Sequence, residues 1–133
     1  KKYATFSGRA SRAEYWTFWF FIIVISAILL IGGAVMSSMS MLAAHKSGTS
    51  WADIHAPLKE ITQNTLYFAP FYIFGLAVTI PNIAVSVRRL HDAGFSGWMY
   101  ALNFIALGIV PFIIYFFASK PGDNEYGPNP YGQ

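Results

Sequence analysis

Two short segments concentrate the side chains that could form ion pairs or bind an anion. They read FSGRASRAEYW and RRLHDAGFSGW, and each combines two arginines with one acidic residue and aromatic neighbours. Arginine forks hold carboxylate or phosphate oxygens in bidentate geometry, which predicts either an ion-pair cluster or a site for anionic lipid headgroups. The candidate residues are Arg9, Arg12, Glu14, Arg88, Arg89, His91 and Asp92.

Ion pairs between the two segments are the plainer interpretation of these charges. Paired charges would fix the membrane topology and hold the helix ends together, whereas unpaired arginines would be free to bind phosphate. The cross-pairs that the charges allow are Glu14 with Arg88 or Arg89, and Asp92 with Arg9 or Arg12.

Catalytic and metal chemistry have little support in the sequence. His91 and Asp92 are adjacent, and neighbouring side chains on a helix point about 100° apart, so this carboxylate is poorly placed to orient this imidazole. His45, Asp53 and His55 supply too few ligands for a metal site in a loop. We therefore expect no catalytic residue, no metal, no cofactor and no enzymatic activity.

The composition places both segments in a membrane protein. The chain is 55% hydrophobic and 11% charged, whereas soluble domains carry about 25% charged residues. Three stretches without Asp, Glu, Lys or Arg are each long enough for the roughly 20-residue helix that crosses a bilayer. The predicted transmembrane helices lie near residues 16–36, 66–87 and 98–118.

The predicted fold is an all-α membrane protein with three transmembrane helices in a single membrane domain, residues 1–133. The loop between the first two spans has structure of its own. Pro57 suits a first helical position, and Leu58, Ile61 and Thr65 share one helical face. This pattern predicts a short amphipathic helix in the outer loop.

The C-terminal third of the chain admits two topologies. Residues 98–118 predict a full span, but Gly108 and Pro111 lie in its middle, where proline can break a helix. A re-entrant hairpin would instead return the tail to the arginine side of the membrane. The tail itself, residues 119–133, is predicted to be irregular because it is rich in proline and glycine.

The distribution of lysine and arginine predicts the orientation. With three spans, one membrane face holds both arginine segments, and the other holds lysines balanced by acidic residues. The positive-inside rule then gives a cytoplasmic N-terminus and a C-terminus outside. The basic excess therefore sets topology, and we expect no nucleic-acid partner.

Local signals predict how the helices begin and end near the arginine segments. Ser11 and Glu14 have the spacing of a capping box, in which the serine accepts from a backbone N–H and the glutamate reaches back. Gly94 suits the left-handed residue that follows the second helix, and Ser96 suits the next N-cap. Both arginine segments are thus expected at helix ends, close to the membrane interface.

Three blocks of the sequence resemble the bacterial inner-membrane family known as domain of unknown function 805. They are FSGRASRAEYW, IPNIAVSVRRLHDAGFSGW and PGDNEYGPNP, and their order and placement match the family pattern over nearly the whole chain. The resemblance implies a bacterial inner-membrane location and several helices, with no established activity to carry over. It also implies that the tail acts together with the arginine segments.

The residues and the resemblance together favour a small polytopic membrane protein without enzymatic activity. We expect a scaffold, an assembly subunit or an anionic-lipid-binding module that acts through the arginine segments. Its expected partners are membrane lipids, a second copy of the chain or another membrane protein. The alternative is a subunit of an oligomeric channel or transporter, whose pore would collect Ser26, Thr79, Asn82 and Asn103.

Overall fold

The computed structural model describes residues 3–46 and 56–132, and every regular element in these ranges is helical. Two of the helices are long and apolar enough to cross a membrane. The all-α class predicted from the sequence is therefore confirmed. In chain order the elements are α1 (Arg12–Lys46), α2 (Ala56–Asp92), a 3-10 helix (Gly97–Phe104) and α3 (Ile109–Ile114).

Helix α1 begins at the predicted cap and contains the first predicted span, residues 16–36. The backbone N–H of Glu14 donates to the Ser11 hydroxyl over 3.1 Å, which satisfies one donor that the first turn would otherwise leave free. The helix has 35 residues, and at 1.5 Å per residue it is about 52 Å long. A hydrocarbon core of about 30 Å needs only part of this length.

Helix α2 is longer than predicted. It contains the second predicted span, residues 66–87, but runs without interruption from Ala56 to Asp92. The separate amphipathic helix expected in the outer loop is therefore wrong as a distinct element, because the residues from 56 onward belong to α2. No glycine or proline breaks the chain between Leu58 and Leu66, so nothing ends a helix there. Asp53 and His55 lie outside the described residues.

The third predicted span, residues 98–118, is not one continuous helix. The 3-10 helix ends before Ala106, whose positive φ of 61° reverses the chain, and the six-residue α3 follows. The backbone N–H of Lys120 then donates to the carbonyl of Asp92 over 2.9 Å, so the segment ends beside its own start. Among the described residues a third spanning helix is not shown.

The chain divides into two compact units that share α1 and α2. The first comprises the described residues up to Phe21 and those from Val78 onward. Its core combines the start of α1, the end of α2 and α3. The buried core residues are Ala10, Tyr15, Val85, Leu90, Ile114 and Tyr115.

The second unit, Ile22–Ala77, is an antiparallel helical hairpin over its described residues. A Cβ placed on Gly33 would lie 2.6 Å from Cδ1 of Phe68, so the two helices approach each other closely at this glycine. One turn further on, the Ser37 hydroxyl donates to Oδ1 of Asn64 over 2.7 Å. A small residue at the close approach and a polar contact between side chains thus join the two helices, as is common between membrane helices.

Candidate functional site

The end of α2 is fixed by the predicted glycine cap. Gly94 has a φ of 85°, and its backbone N–H donates to the His91 carbonyl over 3.1 Å. The N–H of Phe95 donates to the Leu90 carbonyl over 2.9 Å. These paired bonds end the helix immediately after Asp92 and hold its carboxylate at the helix terminus.

Asp92 is the centre of a buried ionic network in the first unit. Nε of Arg9 lies 3.0 Å from Oδ1 of Asp92, and Nη1 of Arg89 donates to Oδ2. The Ser119 hydroxyl also donates to Oδ2. The side chain of Arg9 is 1% exposed and that of Asp92 is fully buried. One carboxylate therefore joins the N-terminal segment, α2 and the tail in a water-excluded setting, where charge-assisted hydrogen bonds are strongest.

The remaining donors of Arg9 are directed at the tail. Its Nη1 donates to the Gly122 carbonyl and its Nη2 to the Lys120 carbonyl, each over 2.7 Å. We predicted that the tail would lie on the opposite face from the arginine segments. Arg9 bonds the tail directly, because the broken third segment brings it back to the end of α2. The side of the membrane on which the tail lies stays a prediction.

Arg89 likewise donates hydrogen bonds to the backbone that follows α3. Its Nε donates to the Tyr115 carbonyl over 3.2 Å, and its Nη2 donates to the Phe117 carbonyl. Arg89 is fully buried. Because these carbonyls follow the last turn of a helix, they have no partner within the helix, and a guanidinium satisfies them well.

A second ion pair joins the two arginine segments. Nη1 of Arg88 lies 2.6 Å from Oε1 of Glu14, whose side chain is 36% exposed. The backbone N–H of Ala10 donates to the Arg88 carbonyl over 3.0 Å. Glu14 therefore turns to Arg88, although the capping box predicted that it would reach back to the start of α1. The serine half of that box is present.

The seven predicted site residues do not all lie in one network. Five of them form the network described above, which we call the arginine clamp. It contains two of the cross-pairs that the sequence allowed, Glu14 with Arg88 and Arg9 with Asp92. Arg12 lies outside it, exposed at the start of α1. The clamp residues are Arg9, Glu14, Arg88, Arg89 and Asp92.

His91 serves as a support for the tail and does not pair with Asp92. Its ring stacks on Tyr126, with centroids 3.9 Å apart and planes 2° from parallel. Nδ1 of His91 lies 3.3 Å from the Gly8 carbonyl oxygen, and Nδ2 of Asn124 donates to the His91 carbonyl over 2.9 Å. Tyr126 is itself held by Glu125, and their hydrogen bond raises the pKa of the Tyr126 hydroxyl.

Sequence reasoning missed the residues through which the tail takes part. Ser119 and Tyr126 contact Asp92 and His91, and the Lys120 and Gly122 carbonyls accept from Arg9. The available signal was the tail block PGDNEYGPNP, which the family resemblance grouped with the arginine segments. Backbone carbonyls have no sequence signature, so the specific acceptors could not be named in advance.

Chemically, the clamp is suited to holding segments of chain together. Its arginines are almost fully buried, and the donors of Arg9 and Arg89 face carboxylate and carbonyl oxygens of the same chain. Nη1 of Arg88 donates to Glu14, whereas its buried Nε has no hydrogen-bond partner among the described residues. No group of three or more His, Cys, Asp or Glu residues that could hold a metal lies within residues 3–46 and 56–132. The geometry thus describes an internal joint of the protein.

Known proteins similar to this chain come from the bacterial inner membrane. The inner membrane protein YhaH of Escherichia coli K12 is 34% identical over 98% of this chain and 90% of its own length. The inner membrane protein YhaI of the same strain is 30% identical over 98% of this chain and 89% of its own length. No solved structure matches. The model of the family described as protein of unknown function (DUF805) matches residues 3–128, and the chain belongs to this family.

Proposed function

We propose that this chain is a non-enzymatic scaffold of the bacterial inner membrane, built to present a rigid face to another membrane protein or a second copy. The arginine clamp is the device that makes this face rigid. It joins the N-terminal segment, the end of α2, the broken third segment and the tail. The supporting observation is that Asp92, Arg9 and Arg89 are buried together and bonded within the chain.

Binding of anionic headgroups, which the sequence analysis also expected, has less support than a scaffold. A phosphate site needs guanidinium groups that a ligand can reach, and those of Arg9, Arg88 and Arg89 are buried. Arg12 alone among the four arginines is exposed. One exposed arginine attracts lipid phosphates without specificity, as interfacial cations do.

The topology proposed with this function places both termini in the cytoplasm. The third segment would then be re-entrant, since its two ends are joined by the bond from Lys120 to Asp92. The positive-inside rule assigns the arginine segments to the cytoplasm, and the contacts of Arg9 bring the tail to them. Irregular backbone at membrane depth requires cover by protein, and Pro111, Ile114 and Tyr115 are buried.

Two matched variants test the function, Arg9→Gln inside the clamp and Arg12→Gln outside it. Both remove one arginine charge near the start of α1, but only Arg9 bonds the tail. The measurements are limited proteolysis of the tail and the anionic lipid that co-purifies. We expect Arg9→Gln to release the tail for cleavage and neither variant to lower the lipid content. Depletion of anionic lipid by Arg12→Gln, with an intact tail, would establish headgroup binding instead.

Single engineered cysteines test the topology, since the natural chain has none. Ser7→Cys, Lys46→Cys and Pro130→Cys all lie at exposed positions. In spheroplasts treated with a membrane-impermeant maleimide, we expect labelling at position 46 alone, and labelling at 7 and 130 after permeabilisation. Labelling at 130 with protection at 7 would contradict the re-entrant segment and support a full third span.

A further inference from the structure

The last part of α1 carries a group of exposed methionines that have no role in the clamp. Met36, Met39 and Met41 are 54%, 63% and 57% exposed. They are three of the four methionines in the chain. Methionine is among the residue types most often buried, so this grouping on an open helix surface calls for an explanation.

Their position along α1 makes cover by lipid tails an incomplete explanation. The predicted span ends at residue 36, because about 20 residues suffice to cross the hydrocarbon core. Helix α1 continues to Lys46. Met39 and Met41 therefore lie beyond the predicted span, where an exposed thioether meets the interface and water.

The spacing of these residues forms two ligand pairs. Met36 and Met39 are three positions apart, and Met41 and His45 are four apart, so each pair shares a face of α1. Side chains at these spacings have Cβ atoms about 5–6 Å apart. The three rotatable bonds of methionine let two donor atoms converge on one small ion.

Three serines lie between these methionines, and each donates its hydroxyl proton to another group of the hairpin. Ser37 donates to Asn64, Ser38 donates to the carbonyls of Ala34 and Val35, and Ser40 donates to the carbonyl of Ser37. Their oxygens keep lone pairs, but a hydroxyl is a hard ligand. The soft and intermediate ligands in this stretch are the thioether sulfurs and the His45 imidazole.

We propose that the end of α1 binds a soft monovalent cation, Cu(I) or Ag(I), at the pair Met36 and Met39 and at the pair Met41 and His45. Thioether sulfur selects Cu(I) over hard cations such as Mg²⁺ and Ca²⁺. Since the chain has no cysteine, methionine is its only source of sulfur ligands. No electron transfer is involved, because the ion binds in one oxidation state.

The experiment uses the full chain in lipid nanodiscs, titrated with Ag(I) in chloride-free buffer. Native mass spectrometry counts the bound ions. The variants are Met36→Leu with Met39→Leu, Met41→Leu with His45→Gln, and all four changes together. Leucine replaces methionine at nearly equal volume and removes only the sulfur. Met99→Leu is the matched control, because it removes the one methionine outside the group.

We expect the natural chain to bind two Ag(I) ions, each pair variant one, and the fourfold variant none. Met99→Leu should bind two. Equal Ag(I) binding by the natural chain and the fourfold variant would overturn the proposal, as would no binding by the natural chain. Binding of Ca²⁺ at the same residues would also contradict it. None of the four residues belongs to the clamp, so this result is independent of the proposed function.

Discussion

The first unit buries charged side chains in its interior. In the second unit, over residues 22–46 and 59–77, Gly33 is the one residue that is buried. In the first unit the buried polar residues are Arg9, Ser86, Arg88, Arg89 and Asp92. In the described part of the second unit, the two helices approach closely at Gly33, and the Ser37 side chain donates to Asn64. Different interactions thus stabilise the interior of each unit.

The difference shows what lipid can and cannot replace. Apolar side chains of the hairpin need no protein neighbours, because lipid tails solvate them as well as a protein core would. The first unit contains irregular backbone after α2, whose N–H and C=O groups lipid cannot satisfy. Arg9 and Arg89 supply donors to those carbonyls. Buried charge is therefore concentrated where the backbone is irregular.

The largest effect is expected for Asp92→Asn in the first unit. The change leaves Arg9 and Arg89 buried without their shared carboxylate. Removing one partner of a buried ion pair costs about 3–5 kcal/mol, so the free energy of unfolding in detergent should fall by about this amount. Glu60→Gln, at an exposed position of α2, is the control. If both variants unfold alike, the clamp does not stabilise the first unit.

A smaller effect is expected for Gly33→Ala in the second unit. The added methyl group would press on the ring of Phe68 and on the Tyr67 carbonyl oxygen. Overpacking of this kind costs about 1–3 kcal/mol. Gly32→Ala is the control, since nothing lies within 4 Å of a Cβ at Gly32. Thermal unfolding should separate the two variants.

Gly32→Ala and Gly33→Ala should change the stability in opposite directions. Gly32→Ala should stabilise α1 slightly, because alanine is favoured over glycine in a helix by about 1 kcal/mol. The same gain offsets only part of the overpacking at Gly33. If Gly33→Ala proves as stable as Gly32→Ala, the helices of the hairpin do not approach each other at this residue, and the contrast between the units loses its second half.

The smallest effect is expected for exchange of the outer ion pair, Glu14→Arg with Arg88→Glu. Arg88 is buried, but Glu14 is 36% exposed, so solvent screens this pair from one side. The pair should therefore contribute less than the fully buried network around Asp92. Each single change places like charges together and should lower the midpoint of denaturant unfolding. The double exchange should recover most of that loss. Without recovery, the two charges are not coupled, and the clamp reduces to the buried network around Asp92.

The sequence predicted features that depend on local patterns or on charge. Charge-free stretches gave both long helices, Gly94 gave the end of α2, and Ser11 gave the start of α1. Charge complementarity narrowed the ion pairs to a few combinations, and two of these occur, Glu14 with Arg88 among them.

The rest depended on contacts between distant parts of the chain. Residues 98–118 are apolar enough for a span. A kink at their centre would give a full span, whereas a complete break would allow a re-entrant hairpin. The helix is interrupted by Ala106, in the left-handed region, and Arg89 bonds the carbonyls after α3. In the same way, the Glu14 carboxylate could accept from the backbone at the start of α1 or from Arg88. It accepts from Arg88, which is distant in sequence.

The clamp holds the chain after α3 mostly through main-chain oxygens, so most side chains there matter little to it. Ser119 is an exception, because its hydroxyl donates to Asp92. Arg9 and Arg89 contact main-chain oxygens at residues 115, 117, 120 and 122, and every amino acid provides such an oxygen. Exchanges at positions 117 and 120 should therefore leave the grip intact. Insertion or deletion of one residue between positions 117 and 120 would shift the carbonyls of Lys120 and Gly122 away from Arg9. At these acceptor positions the clamp should tolerate a change of amino acid better than a change of length.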